Sequence, residues 1–298
     1  MPPSARVQVE VDGRQLSLSN LDKVMYPLTG FTKGHVIDYY TRVAPALLPH
    51  LRGRPLTLKR YPDGVGGAYF YEKQCPSHAP DWVRKASIEL ESKTIDFCVC
   101  DDLPTLVWAA NLADLELHPS LSRAERIERP TTMAFDLDPG EPATIEQCCE
   151  VALLLRAVLE QLGLDCLPKT SGSKGMQVYV PLNDGVTYAD TKPLSQALAR
   201  HLEAQHPKLI VSSQKKELRR GKVLIDWSQN DEHKTTVCVY SLRARERPTV
   251  STPLDWKEVE RGRPEELVFE AEEVLGRVEE GGDLFAPVVE LEQDLPEL

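Results

Sequence analysis

Two aspartates one position apart, Asp136 and Asp138, carry the clearest chemical signal in this 298-residue chain. They end an apolar, strand-like run, and side chains two positions apart on a strand point to the same face. A third aspartate, Asp226, lies in a second strand-like run at 223–227. If the two strands are neighbours, three carboxylates converge and repel one another unless divalent cations lie between them. The sequence therefore predicts a catalytic metal site for phosphoryl transfer, of the kind that holds two ions about 3.5–4 Å apart.

A short polar loop at 170–175, Thr-Ser-Gly-Ser-Lys-Gly, leads into the strand-like run 176–182. Its glycines let backbone amides approach an anion, while Ser171, Ser173 and Lys174 add hydroxyl groups and positive charge. The spacing is not that of a Walker loop. The segment is therefore either a triphosphate cradle or an ordinary polar turn, and its place between two aspartate-bearing strands favours the cradle.

Polar and basic residues continue after Asp226. The run Trp-Ser-Gln-Asn follows it directly, and Lys234, Arg243 and Arg245 come later. Amides and arginines behind an aspartate suit combined contacts with a metal, a sugar and a phosphate. The alternative is an edge strand with polar side chains on its exposed face.

A second basic group lies nearer the N-terminus and contains Lys23, Lys33, Lys59 and Arg60. Three aromatic residues follow it closely: Tyr69, Phe70 and Tyr71. Basic residues interleaved with aromatics are typical of surfaces that bind a nucleic-acid backbone and stack on its bases. The alternative is a solvated helix face beside a pair of core aromatics.

The net charge of −11 is concentrated near the end of the chain. Residues 251–298 hold 4 Lys or Arg and 15 Asp or Glu, whereas residues 1–60 hold 9 basic and 4 acidic residues. Residues 212–247 hold 9 basic and 5 acidic residues. Because salt screens charge beyond ~8–10 Å, a phosphate backbone responds to local surfaces such as these two. The overall acidity therefore does not exclude nucleic-acid binding, although accidental clustering on a solvated surface is the alternative.

No apolar run approaches the ~18–20 residues that a membrane span needs, and the N-terminal residues contain no apolar segment typical of a secretory signal. We therefore expect a cytoplasmic protein that is a monomer and has no membrane partner. Seven scattered cysteines indicate reduced thiols rather than a disulfide framework. A zinc site is the alternative for four residues: Cys75, His78, Cys98 and Cys100.

Strands and helices are mixed without a regular βαβ alternation, which indicates an α+β fold rather than a doubly wound one. Asp12 and Gly13 predict a hairpin within 5–18, and Thr32 is the predicted cap of a helix whose end is made irregular by Pro45 and Pro49. The other predicted strands lie at 56–73 (two, joined by a turn), 93–100, 131–137, 176–182, 222–228 and 235–241, and the other predicted helices at 103–117, 144–162, 191–205 and around 265–280.

We expect two parts in the chain. Residues 1–250 form the catalytic core, with a basic, DNA-facing part at 1–75 and a metal and nucleotide part at 130–247. Residues 251–298 form an acidic segment that either packs on this core or is partly flexible.

Together these residues resemble the polymerase domain of bacterial ligase D, in the archaeo-eukaryotic primase superfamily. The resemblance extends from about Leu16 to Asp283 and rests on seven blocks in the same order. The blocks are Asn20-Leu-Asp-Lys-Val-Met-Tyr-Pro27, Lys59-Arg-Tyr-Pro62, Tyr71-Glu-Lys-Gln74, Phe135-Asp-Leu-Asp-Pro-Gly140, Ser171-Gly-Ser-Lys-Gly175, Val223-Leu-Ile-Asp-Trp-Ser-Gln-Asn230 and Tyr240-Ser-Leu-Arg243. The resemblance implies a primase-like fold with mixed or antiparallel sheets, flanking helices and an active site in a cleft.

The resemblance also implies roles for individual residues. Asp136, Asp138 and Asp226 would be the metal ligands. The nucleotide would be bound by His118, Ser171, Lys174, Gln177, Gln229 and Arg243. DNA would be bound by Lys59 and Arg60, by Asn20, Lys23 and Lys33 as a pocket for a 5′-phosphate, by Phe70 and Tyr71 as stacking partners of the template, and by Arg219 and Arg220 in the loop before the third aspartate.

One position departs from the family pattern. Gln177 lies where the family usually has a histidine, and glutamine can donate a hydrogen bond to phosphate but carries no switchable charge. The strength of triphosphate binding and the metal and pH preference are therefore the properties that this position affects. The acidic C-terminal stretch favours a stand-alone paralogue over an excised module.

The resemblance implies a template-dependent nucleotidyltransferase that uses two Mn²⁺ or Mg²⁺ ions and NTP or dNTP, with ribonucleotides preferred. It would extend primer 3′-hydroxyl ends at DNA breaks or short gaps that carry a 5′-phosphate, in non-homologous end joining or gap repair, with Ku and a DNA ligase as partners. The resemblance also implies a bacterial protein that is associated with the nucleoid. Two alternatives stay open. One is a DNA-end-binding module with little catalysis that tethers ends for those partners, and the other is a metal-dependent nuclease.

Overall fold

The structure is a computed structural model and describes residues 6–90, 93–182 and 185–296. Its strands are β1 Arg6–Val11, β2 Arg14–Ser19, β3 Val24–Tyr26, β4 Phe31–Thr32, β5 Pro55–Arg60, β6 Phe70–Glu72, β7 Lys85–Leu90, β8 Lys93–Val99, β9 Asp114–Pro119, β10 Thr132–Pro139, β11 Leu167–Thr170, β12 Met176–Pro181, β13 Ile210–Val211 and β14 Val223–Asp226. Its α-helices are α1 Lys33–Leu51, α2 Leu103–Asn111, α3 Ile145–Gln161, α4 Tyr188–Gln205, α5 Trp256–Arg261, α6 Ala271–Gly281 and α7 Pro287–Glu290. Strands and helices are mixed and most strand pairs are antiparallel, which confirms the α+β prediction.

A five-stranded sheet in the order β11-β12-β10-β14-β13 carries the aspartates. All its neighbours are antiparallel except β13 and β14. Phe135 and Leu137 on β10 are fully buried, and helix α3 packs against β10 and β12. Because side chains alternate along a strand, the residues between these apolar ones face the opposite side. One face of the sheet therefore belongs to the core, and the other is available for chemistry.

A second sheet has the order β6-β5-β8-β7, and β9 also pairs with β5. The register of β5 and β9 sets Lys59 opposite Glu116 and Thr57 opposite His118. Strand β6 sets Lys59 opposite Tyr71 and Arg60 opposite Phe70. This sheet thus gathers basic, acidic and aromatic side chains from three strands.

The predicted helix starts at Thr32 and Thr144 are confirmed. Each threonine forms a capping box with the third residue of its helix, His35 in α1 and Gln147 in α3. Such boxes satisfy backbone N–H groups that have no partner inside the helix. Helix α1 continues through its two prolines to Leu51, so the predicted irregular end is not found there.

Two predicted elements are wrong. The helix predicted at 103–117 ends at Asn111, because Ala113 has a positive φ of 61° and turns the chain into strand β9. The strand predicted at 235–241 is an irregular extended segment whose backbone bonds to β9 at two points only, from Cys238 N to the Leu117 carbonyl and from Thr236 N to the Pro119 carbonyl. Tyr240, with φ 63°, ends this segment in a turn.

Other bounds differ by less. Helix α4 begins at Tyr188 rather than 191, and the helix predicted around 265–280 is a 3₁₀ turn, Pro264–Glu266, followed by α6. Strand β14 ends at Asp226, where the predicted strand continued to 228, and a 3₁₀ turn Trp227–Gln229 follows.

The prediction that all cysteines are reduced thiols is wrong for one pair. Cys75 and Cys98 form a disulfide with their Cα atoms 5.0 Å apart, and it ties the segment after β6 to β8. The other five cysteines are buried free thiols. Two of the four candidate zinc ligands are therefore used, and the described residues contain no cluster of three or more His, Cys, Asp or Glu side chains placed to hold a metal.

The acidic C-terminal stretch makes many contacts in its described part, 251–296. Helix α6 contacts α1, and Phe285 and Val288 are buried in the main core. Asp283 accepts hydrogen bonds from Tyr240 Oη at 2.6 Å and pairs with His50 Nε2 at 2.8 Å. In the parts of the chain that are described, no helix is both long and apolar enough to span a membrane.

Candidate metal and nucleotide site

One row of side chains crosses the sheet on the face opposite Phe135 and Leu137, and its Lys169 and Gln177 end is buried. The strand registers set Lys169 opposite Gln177, Gln177 opposite Asp136, and Asp136 opposite Asp226. Directly opposed residues of antiparallel strands have their Cβ atoms about 4.5–5.5 Å apart on the same face. Asp138 lies two positions from Asp136 and so shares that face. The structure thus brings the three predicted aspartates to one side of one sheet.

The carboxylates repel one another in this row. Partial burial, Asp138 and Asp226 together raise the pKa of Asp136 to about 7, although Gln177 opposes the shift by donating a hydrogen bond from Nε2 to Oδ1 at 3.0 Å. Desolvation and Asp226 also raise the pKa of Asp138, which lies nearer solvent, and the Arg219 guanidinium opposes this. A bound cation would stabilise the ionised carboxylates that burial and mutual repulsion disfavour.

Asp226 is held by its own 3₁₀ turn. Its Oδ1 accepts hydrogen bonds from Ser228 N at 2.9 Å and Ser228 Oγ at 2.6 Å, and its Oδ2 accepts one from Gln229 Nε2 at 3.0 Å. This orientation agrees with the absence, in the described residues, of a finished set of three metal ligands. The donors nevertheless fit Mg²⁺ or Mn²⁺, which prefer carboxylate oxygens. Asp136 and Asp138 present two carboxylates side by side. Asp226 would add a third by exchanging its hydrogen bonds with Ser228 and Gln229 for bonds to a cation.

The predicted phosphate loop lies beside these carboxylates. Ser171 Oγ accepts hydrogen bonds from Ser173 N and Gly175 N, both at 3.2 Å, which folds the loop back on itself. Gly172 has φ +66°, and a Cβ there would meet the Val250 backbone. A Cβ at Gly175 would clash with a β10 carbonyl oxygen, that of Leu137. Glycine at these two positions lets the loop approach the aspartate-bearing end of β10 closely.

The cationic side chains of the loop region, Lys174 and Arg243, each have an acidic partner, Glu141 and Glu116 respectively. Lys174 is exposed and pairs with exposed Glu141 at 2.9 Å, an interaction of a kind that contributes little and is easily exchanged. Arg243 donates a hydrogen bond from Nη1 to the Ser171 carbonyl. This bond ties the residues that follow the irregular segment 235–241 to the loop. The Arg243 guanidinium and the Lys174 ammonium group therefore both lie close to where a phosphate would bind.

Gln177 is placed differently from the prediction that it donates to phosphate. Its Nε2 donates to Asp136 Oδ1 and to Thr236 Oγ1, both at 3.0 Å, so both amide hydrogens are used. Its Oε1 is buried and has no hydrogen-bond partner among the described residues. The amide therefore orients the Asp136 carboxylate, and its remaining capacity is that of an acceptor.

An open cleft of about 440 Å³ connects these groups. Its lining contains Tyr71, Lys73, His118, Asp136, Asp138, Ser171, Ser173, Lys174, Gln177, Gln229, His233, Lys234, Thr235, Thr236, Val237 and Arg243. All six predicted nucleotide-binding residues thus line one cavity with two of the three aspartates. The cleft therefore combines two aspartates with several lysines and Arg243, and such a mixture of charges suits a metal-bound polyphosphate.

A basic pocket in the N-terminal part contains Lys23 and Lys33 close to Asn20. Lys33 is buried and donates from Nζ to the Asn111 carbonyl at 2.8 Å and to Ser19 Oγ at 3.4 Å. Burial and the nearby Lys23 charge lower the pKa of Lys33 to about 8. Asn20 has a positive φ of 56° and accepts the backbone N–H of Lys23, which closes the turn.

The remaining predicted DNA-binding residues are spread over two places. Phe70 and Tyr71 are exposed aromatics, and the Arg60 guanidinium lies 5.2 Å from the Phe70 ring centre. Lys59 and Arg60 are mostly buried and paired with Glu116 and Glu72 respectively. Arg219 and Arg220 lie in the loop before β14, where Arg219 donates to Gln214 and Arg220 is exposed.

Sequence reasoning missed the buried carboxylate of Glu116, and it placed Asn230 in a run suited to ligand contacts without its structural role. Glu116 lies two positions before His118 on β9, a spacing that sets both on one face, but nothing in the sequence indicates its partners. Asn230 is fully buried, and it bonds to both the N–H and the carbonyl of Ala134, at 2.8 Å each. It clamps the 3₁₀ turn after Asp226 to β10.

Comparison with known proteins gives a consistent result. The family model of the LigD primase-polymerase domain matches residues 32–285. The chain is 43% identical over 284 residues to a multifunctional non-homologous end joining protein LigD of Mycolicibacterium smegmatis, and 32% identical over 283 residues to a bifunctional LigD of Bacillus subtilis. The matches cover 95% of this chain in both cases but only 37% and 45% of those relatives.

A solved structure agrees with the sequence matches. The polymerase domain of Mycobacterium tuberculosis ligase D, solved in complex with DNA, superposes with a TM-score of 0.87 and 39% sequence identity. The match covers 94% of this chain and 99% of that one. The likeness therefore includes the sheet that carries the aspartates and the strands that line the cleft.

Proposed function

This chain belongs to the LigD primase-polymerase domain family, and we propose that it is a template-directed nucleotidyltransferase that extends primer 3′-hydroxyl ends at DNA breaks and short gaps. The observation that supports this most is the opposition of Asp136 and Asp226 across two strands, with Asp138 beside them and the 170–175 loop facing them. Because the family relatives are about two to three times longer than this chain, the end-joining role, Ku, a ligase and a bacterial cytoplasmic location belong to the proposal.

In this proposal Asp136, Asp138 and Asp226 hold two divalent cations, Mn²⁺ or Mg²⁺. Bound there, the cations would supply charge neutralisation for the triphosphate and a more acidic primer hydroxyl. Gln177 fixes the orientation of the Asp136 carboxylate through its 3.0 Å hydrogen bond. Asn230 fixes the backbone on which Asp226 lies. These two amides limit the reorganisation that the carboxylates need when cations bind.

The incoming NTP or dNTP is bound at its phosphates by Ser171, Lys174 and Arg243. The amides of the loop add hydrogen-bond donors, since Gly172 and Gly175 let the backbone come close. Gln229 and His118 also line the cleft, and in this proposal they contact the sugar of the nucleotide. Burial lowers the pKa of His118, so at neutral pH its imidazole is uncharged and recognises a hydroxyl group by hydrogen bonding. A preference for ribonucleotides would follow from such a contact.

The DNA contacts divide between two surfaces. Phe70 and Tyr71 would stack on template bases, with Lys59 and Arg60 behind them, while Arg219 and Arg220 would approach the primer. Asn20, Lys23 and Lys33 would bind a 5′-phosphate on the downstream strand. Lys33 supports this because no acidic side chain is among its partners in the described parts of the chain. A buried ammonium group without a carboxylate is stabilised by an anionic ligand.

The test is extension of a labelled primer on gapped DNA with a 5′-phosphate, with each nucleotide type and each metal. We expect templated addition by the wild type and a loss of roughly a thousandfold or more in Asp136→Ala and Asp138→Ala, because several kcal/mol of charge stabilisation disappear. Asp81→Ala, which changes an exposed aspartate outside the cleft, is the matched control.

Each other outcome contradicts the proposal in a different way. Shortening of the primer would identify a nuclease that uses the same carboxylates. Binding of gapped DNA without any extension by the wild type would identify an end-binding module. Full extension by Asp136→Ala would remove the metal assignment.

A further inference from the structure

The buried carboxylate of Glu116, on strand β9, contacts two residues that line the cleft. Only 2% of the Glu116 side chain is exposed. Its Oε2 forms hydrogen bonds with Lys59 Nζ and His118 Nε2, both at 3.1 Å, and an ion pair with Arg243 Nε at 3.3 Å that lacks hydrogen-bond geometry. Three nitrogen-bearing side chains from three separate segments therefore converge on one oxygen atom.

The second carboxylate oxygen anchors the same group to the surrounding fold. Oε1 accepts hydrogen bonds from Tyr61 Oη and from the backbone N–H of Ala244, both at 3.1 Å. Because Ala244 follows Arg243 directly, Glu116 holds that segment by its backbone as well as by its side chain. The position of the Arg243 guanidinium relative to the 170–175 loop thus depends on Glu116.

Charge explains why the carboxylate stays ionised. Burial by itself would raise the pKa of Glu116, but the hydrogen bond from His118 and the charges of Arg243 and Lys59 outweigh it and hold that pKa well below its usual range. Two cations against one anion leave the cluster with an excess of positive charge. That excess faces the cleft, where an anionic ligand would balance it.

The same cluster touches the exposed aromatic residues. The Lys59 ammonium lies 5.4 Å from the Tyr61 ring centre, 4.8 Å from that of Tyr69 and 5.4 Å from that of Tyr71. The His118 ring contacts Tyr71 edge-on, with ring centres 5.9 Å apart. Movement of the side chains around Glu116 would therefore change the positions of the aromatic rings that they contact.

We propose that Glu116 is a positioning residue for nucleotide binding, which holds Lys59, His118 and Arg243 in one arrangement and thereby couples the nucleotide pocket to the aromatic surface that meets the template. The inference rests on the proposed function, since it assumes that these residues meet a nucleotide. In this role a carboxylate that touches neither substrate nor metal determines where the cleft residues His118 and Arg243 and the adjacent Lys59 lie.

Glu116→Gln is the sharpest test, because the amide can keep its oxygen on the side of Tyr61 and Ala244 while its NH₂ group faces three donors. We expect the KM for the incoming nucleotide to rise about tenfold or more, since one partner of a buried charged cluster is lost. We expect kcat to change by less than about threefold, because the carboxylates at the metal site are untouched.

Asp114→Asn is the matched control. Asp114 is a fully buried acid on the same strand, but its Oδ1 accepts only the backbone N–H of Lys59, and burial raises its pKa. We expect a nucleotide KM within about twofold of the wild type, because an amide oxygen can accept the same bond. A rise in KM as large as that of Glu116→Gln would mean that any buried acid on β9 has this effect and would overturn the inference.

A double-mutant cycle distinguishes coupling from general damage. Because Glu116 and Arg243 act on the same ligand, Glu116→Gln combined with Arg243→Lys should raise the KM by clearly less than the product of the two single effects. Effects that multiply, or a KM of Glu116→Gln equal to that of the wild type, would overturn the inference. Neither result affects the proposed function, because the wild type still extends primers in both cases. A wild type that does not extend primers would contradict the proposed function itself.

Thermal unfolding checks that Glu116→Gln is folded. If it is not, Tyr61→Phe replaces it, because that change removes only the hydroxyl that donates to Oε1 and keeps the charge and the ring. A KM raised about two- to fivefold at unchanged unfolding temperature supports the positioning role, since a single hydrogen bond to a charged group is lost. An unchanged KM contradicts it.

Discussion

The acidic face of the central sheet and the basic pocket of the N-terminal part are opposite in charge but alike in one respect. Asp136, Asp138 and Asp226 lie together with few cations, and burial and mutual repulsion raise the pKa of Asp136 to about 7. Lys23 and Lys33 lie together with one exposed acid, and burial and repulsion lower the pKa of Lys33 to about 8. Each region is therefore stabilised by a ligand of the opposite charge.

The two regions differ in how they are built. The aspartates are fixed by strand register, which leaves them little freedom. The basic pocket depends on a left-handed turn at Asn20 and on the Asn111 carbonyl, which belongs to a helix far away in the sequence. Regular elements thus carry the proposed metal ligands, and a turn held by tertiary contacts carries the proposed 5′-phosphate ligands. Removing charge from either region tests this comparison.

The largest expected effect is on stability without divalent cations. The pKa of Asp136 is about 7 in the folded chain and near 4 when unfolded, so the folded state keeps a proton that the unfolded state loses. Stability should therefore fall as pH rises from about 4 to 7 and level off above 7, by at most about 4 kcal/mol. Asp136→Asn should weaken this dependence, as should added Mn²⁺. Urea unfolding at several pH values measures it, with Asp81→Asn as the control.

A pH dependence of Asp136→Asn identical to that of the wild type would contradict the raised pKa. It would mean that the acidic face is not electrostatically strained, and the comparison with the basic pocket would fail on that side.

A smaller effect is expected at the basic pocket. Lys33→Met keeps the length of a buried side chain but removes its charge, so the preference for gapped DNA with a 5′-phosphate over a 5′-hydroxyl should fall about tenfold. The wild-type preference should also weaken as pH rises through about 8, where Lys33 loses its proton. Fluorescence anisotropy titrations measure both. Lys208→Met, at an exposed lysine, is the control, and an undiminished preference in Lys33→Met would exclude this lysine from the pocket.

The smallest effect concerns Asp63, which pairs with Lys23 at 2.9 Å on the surface. Exposed pairs contribute about 0–1 kcal/mol, so breaking this one frees Lys23 at little cost. Asp63→Asn should therefore tighten binding of 5′-phosphorylated DNA about two- to fivefold and leave 5′-hydroxyl DNA less affected. Glu89→Gln, at another exposed acid, controls for the change in net charge. Equal tightening in both variants would assign the effect to overall charge.

The sequence predicted what depends on local pattern. Alternation set Asp136 and Asp138 on one face, and threonine caps marked the starts of α1 and α3. The glycines of the 170–175 loop predicted close backbone approach, and Gly172 and Gly175 have no room for a side chain.

The rest depends on pairings between distant segments. The cluster around Glu116 joins residues from three stretches of chain, and no spacing indicates that Arg243 ends beside Lys59. The Cys75–Cys98 disulfide links residues 23 positions apart that separately read as ordinary thiols. Positive φ at Ala113 and Tyr240 redirected two segments whose composition favoured a continuing helix or strand.

Direct titration of Mn²⁺ tests the central claim, that carboxylates from two strands jointly hold divalent cations. Electron paramagnetic resonance would follow free Mn²⁺ in the presence of a non-hydrolysable nucleoside triphosphate. We predict two bound ions in the wild type and a loss of at least one in Asp226→Asn and in Asp136→Asn, with Asp81→Asn unchanged. Undiminished Mn²⁺ binding in both of the first two variants would contradict the account.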